Sequence, residues 1–498
     1  MNMKVKAALS ATCTALAAIA VMAANAFSAE PPSYTKYPMQ ITGQLVSSTI
    51  EDLDGDGLKD IVAISLSTGK KGAKRIVSVF YQKKGGGFGQ YPDQNWYLDH
   101  EAVVFDVGTV AAGQKKAIAF MTPEGLTIYQ MTGRTFSTRP TLLIKSSSIF
   151  SQEDPLDLPR WPILIENAGG GADLAIIPSI ERLAVYSNTG GGYKLASSMP
   201  LVTRTSFLDN PLTLNEGQLI ITHKIPVVQK VPFNSRGSQD LMVAWDDNAD
   251  IWLRKAGGFA DTPVKFRPGL LDSSKKDSLD TAGVQAVDLD GDGRLDMVVT
   301  KMVGGVSQTK SLVFIYKRAD DGSFPDKPTQ TIMTEGVVGP RVIDVNGDGK
   351  MDLLLPSVKM GISNFINMIT SRQINMTVGV YLQGNNGRFQ DQPSKEKGVV
   401  FNLDISNMGK NAKPVMTMGK FTRTPGYGLI VASKSDKVSI YLPDRYSVLA
   451  DNAGLTLSVA APSEMAVQDL NGDGIDDIVM TYRKIKDQAG KLNVFLSK

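Results

Sequence analysis

Four short segments of the chain carry aspartate and asparagine at one fixed spacing. They begin at Asp52, Asp288, Asp344 and Asp469 and read DLDGDGLKD, DLDGDGRLD, DVNGDGKMD and DLNGDGIDD. Each has side-chain oxygens at positions 1, 3, 5 and 9, and a glycine at position 6 that permits a sharp turn. Oxygens at this spacing, with the backbone carbonyl of position 7, form a calcium cage. The spacing therefore predicts about four calcium sites.

The predicted ligands are side chains at positions 1, 3, 5 and 9, and the carbonyl oxygen at position 7. In chain order they are Asp52, Asp54, Asp56, Leu58 and Asp60; Asp288, Asp290, Asp292, Arg294 and Asp296; Asp344, Asn346, Asp348, Lys350 and Asp352; Asp469, Asn471, Asp473, Ile475 and Asp477.

Two other interpretations of these loops are open. An EF-hand shares the first half of the spacing but needs glutamate at position 12. The chain instead has Ala63, Val299, Leu355 and Met480 there, followed by strand-forming residues. The loops could also be solvated acidic turns without metal, although the recurrence of only Asp or Asn at the same offsets favours a metal.

Each acidic loop leads directly into a short apolar run: DIVAIS, DMVVT, DLLLPS and DIVMTY. Continuous apolar runs of this length, without helical spacing, are typical of strands buried on both faces. A second strand follows each run, and Gly-rich turns follow three of these second strands. Similar strand pairs without acidic loops begin near Gly113, Gly170, Gly237 and Gly426. The chain is therefore built from repeats of short antiparallel strands.

The spacing of the loops gives the number of repeats. Asp52 and Asp288 are 236 residues apart, which is four steps of 59, and the strand pairs without acidic loops fill the intervals. The last repeat stops one strand short, and YPMQI from Tyr37 can supply that strand. A chain that completes one blade from both ends closes a ring and removes exposed sheet edges. We therefore predict an all-β fold, a single β-propeller of eight blades over residues 27–498. Seven blades is the alternative, with one repeat as an insertion.

The acidic loops and paired strands together resemble the FG-GAP/VCBS repeat family, the calcium-bearing propeller repeats also found in integrin α-subunits. The resemblance covers essentially the whole chain after residue 26, strongly in four repeats and weakly in four. Phe88-Gly89 matches the Phe-Gly order of the family's name, and the other repeats depart from it. The resemblance implies that calcium is a structural ion. It implies no particular function, because propellers carry many unrelated tasks.

Residues 1–26 have the features of a secretory signal peptide. Lys4 and Lys6 precede an Ala-rich apolar stretch that ends at Ala24-Asn25-Ala26, a small-residue cleavage site. An uncleaved membrane anchor is the alternative. We expect an exported protein that is periplasmic, held at the outer surface or secreted. Its only cysteine, Cys13, lies in this segment, which excludes disulfides and cysteine-based sites from the remainder.

Composition and motifs bound the function further. Basic and acidic residues nearly balance and form no basic block, so nothing favours nucleic acid, and no later segment is apolar enough to span a membrane. The only histidines, His100 and His223, are far apart, and no nucleophile, zinc or phosphate-loop motif occurs. We expect a monomeric, non-enzymatic module that binds a protein or a glycan. A propeller-type polysaccharide lyase, with its site in the central channel, is the alternative.

Two further features concern binding. Trp96 is the tryptophan we expect to be exposed for stacking on sugars, whereas Trp245 and Trp252 lie in predicted strands. In the sixth repeat, an apolar stripe at helical spacing predicts a short helix near residues 361–370 that caps its own blade or docks a partner; the stripe consists of Ile362, Phe365, Ile366 and Ile369.

Overall fold

The structure is a computed structural model that describes most of the chain. The described residues are 31–69, 72–98, 101–150, 156–166, 172–209, 219–234, 239–271, 282–303, 310–336, 339–358, 370, 373–402, 415–434, 436–443, 449–483 and 488–498. The predicted signal peptide, residues 1–26, lies outside them, as do His100 and almost all of the helix predicted near 361–370.

Strands account for nearly all regular structure in these residues. In chain order they are β1 Tyr34–Gln40, β2 Gln44–Glu51, β3 Asp60–Gly69, β4 Gly72–Phe80, β5 Gln94–Leu98, β6 Val104–Gly108, β7 Ala117–Thr122, β8 Gly125–Thr132, β9 Thr135–Phe136, β10 Thr141–Lys145, β11 Leu164–Glu166, β12 Ala172–Ser179, β13 Arg182–Asn188, β14 Tyr193–Pro200, β15 Arg204–Asp209, β16 Leu219–Lys224, β17 Val227–Val231, β18 Asp240–Trp245, β19 Asn248–Trp252, β20 Arg254–Lys255, β21 Gly258–Phe259, β22 Val264–Phe266, β23 Ala282–Val287, β24 Asp296–Val303, β25 Lys310–Tyr316, β26 Gln330–Glu335, β27 Arg341–Ile343, β28 Asp352–Ser357, β29 Gln373–Tyr381, β30 Lys395–Asn402, β31 Met416–Gly419, β32 Gly428–Lys434, β33 Lys437–Tyr441, β34 Leu455–Ser458, β35 Glu464–Gln468, β36 Asp477–Thr481 and β37 Lys491–Ser497.

These strands form eight antiparallel blades of a β-propeller, each built on four hydrogen-bonded strands. The strand orders of blades 1 to 8 are β2-β3-β4-β5, β6-β7-β8-β10, β11-β12-β13-β14, β17-β18-β19-β22, β23-β24-β25-β26, β27-β28-β29-β30, β31-β32-β33-β34 and β35-β36-β37-β1. The short strand β9 pairs with β8, and the ribbons β15-β16 and β20-β21 are additions to this plan. The prediction of eight blades is confirmed, and the alternative of seven is wrong.

The N-terminal strand completes the last blade, as the sequence predicts. β1 pairs antiparallel with β37, and Tyr37 lies opposite Val494 in that register. The blade is therefore assembled from both ends of the propeller. This closes the ring through backbone hydrogen bonds.

The hydrophobic core is divided among the contacts between neighbouring blades. Eight clusters of buried apolar side chains occur in the described residues, and each joins two consecutive blades. One of them joins blade 8 to blade 1, where Val494 and Leu492 pack with Ile61 and Ala63. The second strand of each blade, which follows the acidic loop where one is present, reads as a continuous apolar run because both of its faces contact a neighbouring sheet.

The expectation that Trp96 is exposed is wrong. Its side chain is 5% exposed and lies in the cluster between blades 1 and 2. The ring centroid of Trp96 is 5.4 Å from that of Tyr129 and 5.6 Å from that of Phe136. Trp96 alternates with exposed neighbours along β5, so its face of the strand packs on the next blade.

Trp245 and Trp252 lie in strands β18 and β19, as predicted, and Trp252 is buried. None of the described residues forms a helix with the length and hydropathy of a membrane span.

Candidate metal centres

The four acidic loops occupy equivalent places in blades 1, 5, 6 and 8. Each connects the first strand of its blade to the second, and position 9 is the first residue of that second strand. The glycines at positions 4 and 6 both adopt the left-handed conformation in every loop, with φ between 75° and 89°. Residues with a Cβ rarely adopt this conformation. The glycine at position 6 was expected from the calcium spacing, whereas the one at position 4 was not.

All four loops share one hydrogen-bond pattern. The carboxylate of position 1 accepts the backbone N–H of position 4 at 2.7–2.8 Å and that of position 6 at 2.8–3.1 Å. The carboxylate of position 5 accepts the N–H of position 7 at 2.8–3.0 Å. These bonds turn the side-chain oxygens of positions 1 and 5 toward the inside of the turn. The residues of position 7, whose carbonyl oxygens are predicted ligands, are thus bound to the loop through their own N–H groups.

The aspartate at position 9 is a buried link between two parts of its blade. One carboxylate oxygen accepts the N–H of position 2 at 2.7–3.2 Å. The other accepts an N–H at or just after the end of the third strand at 2.7–2.9 Å. Asp60, Asp296, Asp352 and Asp477 are 0–2% exposed. We call this arrangement the aspartate bracket.

Blade 4 has the same bracket without an acidic loop. Asp240 accepts the N–H of Asn234 at 3.0 Å and the N–H of Arg254 at 2.6 Å. The bracket is therefore a structural element in its own right, independent of a metal. Its signal in the sequence is an aspartate directly before the apolar run, present in DLMVAW as well as in the four acidic repeats.

Burial raises the pKa of the bracket carboxyls, although the backbone N–H bonds partly oppose the effect. The pKa of Asp60 is raised to about 7, and those of Asp296 and Asp477 to about 6. Nearby acidic side chains add to the increase; for Asp60 these are Asp54 and Asp56. Without a cation, these loops hold more negative charge than their surroundings readily stabilise.

The loops of blades 1 and 5 bring together carboxylate oxygens suited to a hard cation. In blade 1, carboxylate oxygens of Asp52, Asp54 and Asp60 lie within 4.8 Å of one another, and in blade 5 those of Asp288, Asp290 and Asp292 do so. The donors are carboxylates, amides and backbone carbonyls, which suit calcium rather than zinc or copper. The residues present therefore fit calcium.

Backbone hydrogen bonds also join the loops to neighbouring blades. The N–H of Lys59 in blade 1 donates to the carbonyl of Leu470 in blade 8 at 3.0 Å, and the N–H of Met351 in blade 6 donates to that of Leu289 in blade 5 at 3.3 Å. In blade 8 the N–H of Asp476 donates to Lys420 of blade 7 at 2.8 Å. A cation that orders one loop therefore acts on a contact between two blades.

A separate cavity of about 580 Å³ lies between blades 4 and 5. Its lining combines the ring of Trp245 with polar side chains, including Gln229, Gln285 and Thr300. Arg267 lies over the Trp245 ring at 4.8 Å from its centroid, and Arg204 pairs with Asp246 at the cavity wall. An aromatic ring beside amide, hydroxyl and charged groups can bind a ligand that has both apolar and hydroxyl-bearing faces.

Comparison with known proteins gives similarity in fold only. No protein-family profile matches the chain, and no curated protein matches it. Among solved structures, the chain is similar to an Agrocybe aegerita lectin described as recognising non-reducing terminal N-acetylglucosamine, with a TM-score of 0.42 and 12% identity over 87% of this chain and 92% of the lectin chain. It is also similar to BBS1N in complex with ARL6DN, in a lead-soaked crystal, with a TM-score of 0.36 and 11% identity over 95% and 98% of the two chains. Similarity of this degree establishes neither a family nor a ligand.

Proposed function

We propose that the protein is an exported β-propeller of the FG-GAP/VCBS type, stabilised by calcium, that binds a protein or a glycan without catalysing a reaction. The observation that carries the proposal is the common geometry of the four acidic loops. Each repeats the same Asp–backbone hydrogen bonds, and each adjoins a buried aspartate bracket.

Calcium would be held by the side chains of positions 1, 3, 5 and 9 and the carbonyl of position 7. It would offset the repulsion among the carboxylates and link the first strand of a blade to the second. Since it binds the folded loop better than the unfolded chain, each site should add about 2.7 kcal/mol at a calcium concentration 100 times the dissociation constant.

The test is the melting temperature of the full chain in calcium and in chelator, with the bound metal counted by elemental analysis. Chelation should lower the melting temperature, and calcium should restore it more effectively than magnesium, which resists this many protein ligands. The double variant Asp290→Ala, Asp292→Ala should lose one bound ion and retain the others. A protein that carries no calcium and melts identically in chelator would overturn the proposal for all four loops.

The cavity beside Trp245 is the place where we propose that a glycan segment binds. The protein should bind at least one member of a panel of immobilised glycans and envelope polysaccharides. Trp245→Ala should weaken that binding at least tenfold, because stacking on the ring is lost. Tyr97→Ala is the matched control, since Tyr97 is an aromatic residue 65% exposed on blade 1. Cleavage of a polysaccharide by the purified protein would instead favour the lyase.

Export is tested separately by mass spectrometry of the protein recovered outside the cytoplasm. Its N-terminus should be Phe27, the residue after the proposed cleavage site. Recovery of the intact residues 1–26 in a membrane fraction would contradict cleavage.

A further inference from the structure

The four acidic loops differ at position 3, and the difference is matched by the residue that contacts it. Position 3 is aspartate in blades 1 and 5, and a cation from outside the loop pairs with each of these carboxylates. Arg134 Nε lies 2.7 Å from Asp54 Oδ2, and Lys317 Nζ lies 3.1 Å from Asp290 Oδ2. Arg134 belongs to the turn between β8 and β9 of the next blade, whereas Lys317 follows β25 of its own blade.

Position 3 is asparagine in blades 6 and 8, and there the amide donates to the position 5 carboxylate of its own loop; that of Asn471 also donates to the carbonyl of Ser497 at 3.4 Å. Asn346 Nδ2 donates to Asp348 Oδ2 at 3.2 Å, and Asn471 Nδ2 to Asp473 Oδ2 at 3.4 Å. In the parts of these two blades that the structure describes, no Lys or Arg from outside the loop pairs with a loop carboxylate. The loops thus fall into two classes by the residue at position 3, which is a carboxylate in blades 1 and 5 and an amide in blades 6 and 8.

The residue just after the last aromatic of the third strand follows the same division. It is Tyr81 in blade 1 and Lys317 in blade 5, but Leu382 in blade 6 and Leu496 in blade 8. Polar groups therefore accompany aspartate, and apolar groups accompany asparagine. Tyr81 is 7% exposed, and its hydroxyl is buried without a hydrogen bond to any described residue. Arg134 lies over its ring at 4.7 Å, so both groups border the blade 1 loop.

The paired cations affect the loops in two opposite ways. Without metal, each cation offsets the repulsion among four carboxylates. With metal, the same cation competes for the position 3 oxygen and must be displaced before that oxygen can bind calcium. The loops of blades 6 and 8 have an amide in place of the position 3 carboxylate, and no described cation from outside the loop pairs with them. Within the blade 6 loop, Lys350 Nζ lies 3.9 Å from Asp348 Oδ2.

We propose that the calcium sites form two affinity classes, a tighter pair in blades 6 and 8 and a weaker pair in blades 1 and 5 whose affinity is set by Arg134 and Lys317. This rests on the proposed function, since it assumes that the loops bind calcium. The weaker pair would fill last as the calcium concentration rises, so its occupancy would change over a higher range of calcium concentration than that of the tighter pair. Arg134 and Lys317 are positioning residues that tune a site without ligating the ion.

The test compares calcium titration of the full chain by calorimetry with its melting temperature in chelator. The wild type should show two tight and two weaker sites. Lys317→Met, which keeps most of the apolar stem, should raise the affinity of one weaker site about fivefold, the equivalent of the ~1 kcal/mol at the upper end for a surface ion pair. The same variant should melt at a lower temperature in chelator, because the carboxylates lose their counter-charge.

Lys317→Arg, which keeps the positive charge, should leave the calcium affinity and the melting temperature in chelator as in the wild type. Arg134→Met should raise the affinity of the blade 1 site and lower the melting temperature in chelator, as Lys317→Met does for blade 5. Lys310→Met is the control on the same blade, since Lys310 is exposed at the start of β25. Four sites that titrate as one class, unchanged by Lys317→Met, would overturn this inference while leaving calcium binding intact. The absence of any calcium binding would instead remove the proposed function, and this inference with it.

Discussion

Asp240 allows the structural role of the bracket to be measured apart from calcium. It is 0% exposed and lies in blade 4, which has no acidic loop. Asp240→Ala removes the acceptor of two backbone amides, at 3.0 Å and 2.6 Å. A hydrogen bond to a charged group contributes about 1.5–3 kcal/mol, so the variant should lose about 3–6 kcal/mol of unfolding free energy.

The expected shift in melting temperature follows from the length of the chain. An unfolding entropy of about 2.1 cal/mol/K per residue gives roughly 1 kcal/mol/K for a chain of 498 residues. The melting temperature should therefore fall by about 3–6 °C if the propeller unfolds as one unit. Asp240→Asn keeps an oxygen acceptor and should show a smaller loss.

The assay is differential scanning calorimetry in calcium and in chelator. The loss should be the same in both, because Asp240 is not a predicted calcium ligand. Asp261→Ala is the control in the same blade; this side chain is 93% exposed, and its removal should change the unfolding free energy by less than about 0.5 kcal/mol. A loss for Asp240→Ala below about 1 kcal/mol, or one seen only in calcium, would refute the structural role.

Three other predictions concern pH, packing and ring closure. In chelator, the free energy of unfolding should rise as the pH falls from about 8 to about 5. Burial raises the pKa of Asp60 to about 7, so the stability that its protonated form contributes is lost as the pH rises through that value. Denaturant unfolding should show this trend and Asp60→Asn should weaken it, whereas stability that increases with pH would contradict it. Trp96→Ala should cost about 3–5 kcal/mol in urea unfolding through loss of its contacts in the core, yet leave glycan retention by the folded protein unchanged. Val494→Asp should release β1 from the last blade and expose a strand edge, so size-exclusion chromatography should show self-association, which an unchanged monomer peak would argue against.

Most of the fold could be predicted from the repeats, because each repeat has the same order of loop, buried strand and following strand. The pairing of the strand near Tyr37 with the last strand followed from counting one missing strand. The aspartate bracket was missed because the calcium spacing already accounted for position 9, although Asp240 carries the same signal without that spacing. Trp96 was misjudged because its neighbours DQN and DH are polar, whereas its burial depends on Tyr129 and Phe136 from the next blade. The contact of Arg134 with Asp54 could not be predicted, because Arg134 comes from a different repeat.

The pairing of β1 with β37 has a consequence for the time course of folding. Seven blades need only contacts within one repeat and with its neighbours, but the eighth needs Tyr34 to meet Ser497 at the other end of the propeller. Loop closure costs only about 0.6 kcal/mol more for each doubling of length, so the penalty in stability is small. The penalty in rate is larger, because contacts between distant residues slow folding. We therefore expect a chain that folds from its N-terminus onward to hold its first blades in an open arc until residues 491–497 are available. Closing the arc then pairs the free edge of β37 with β1 and completes the last blade.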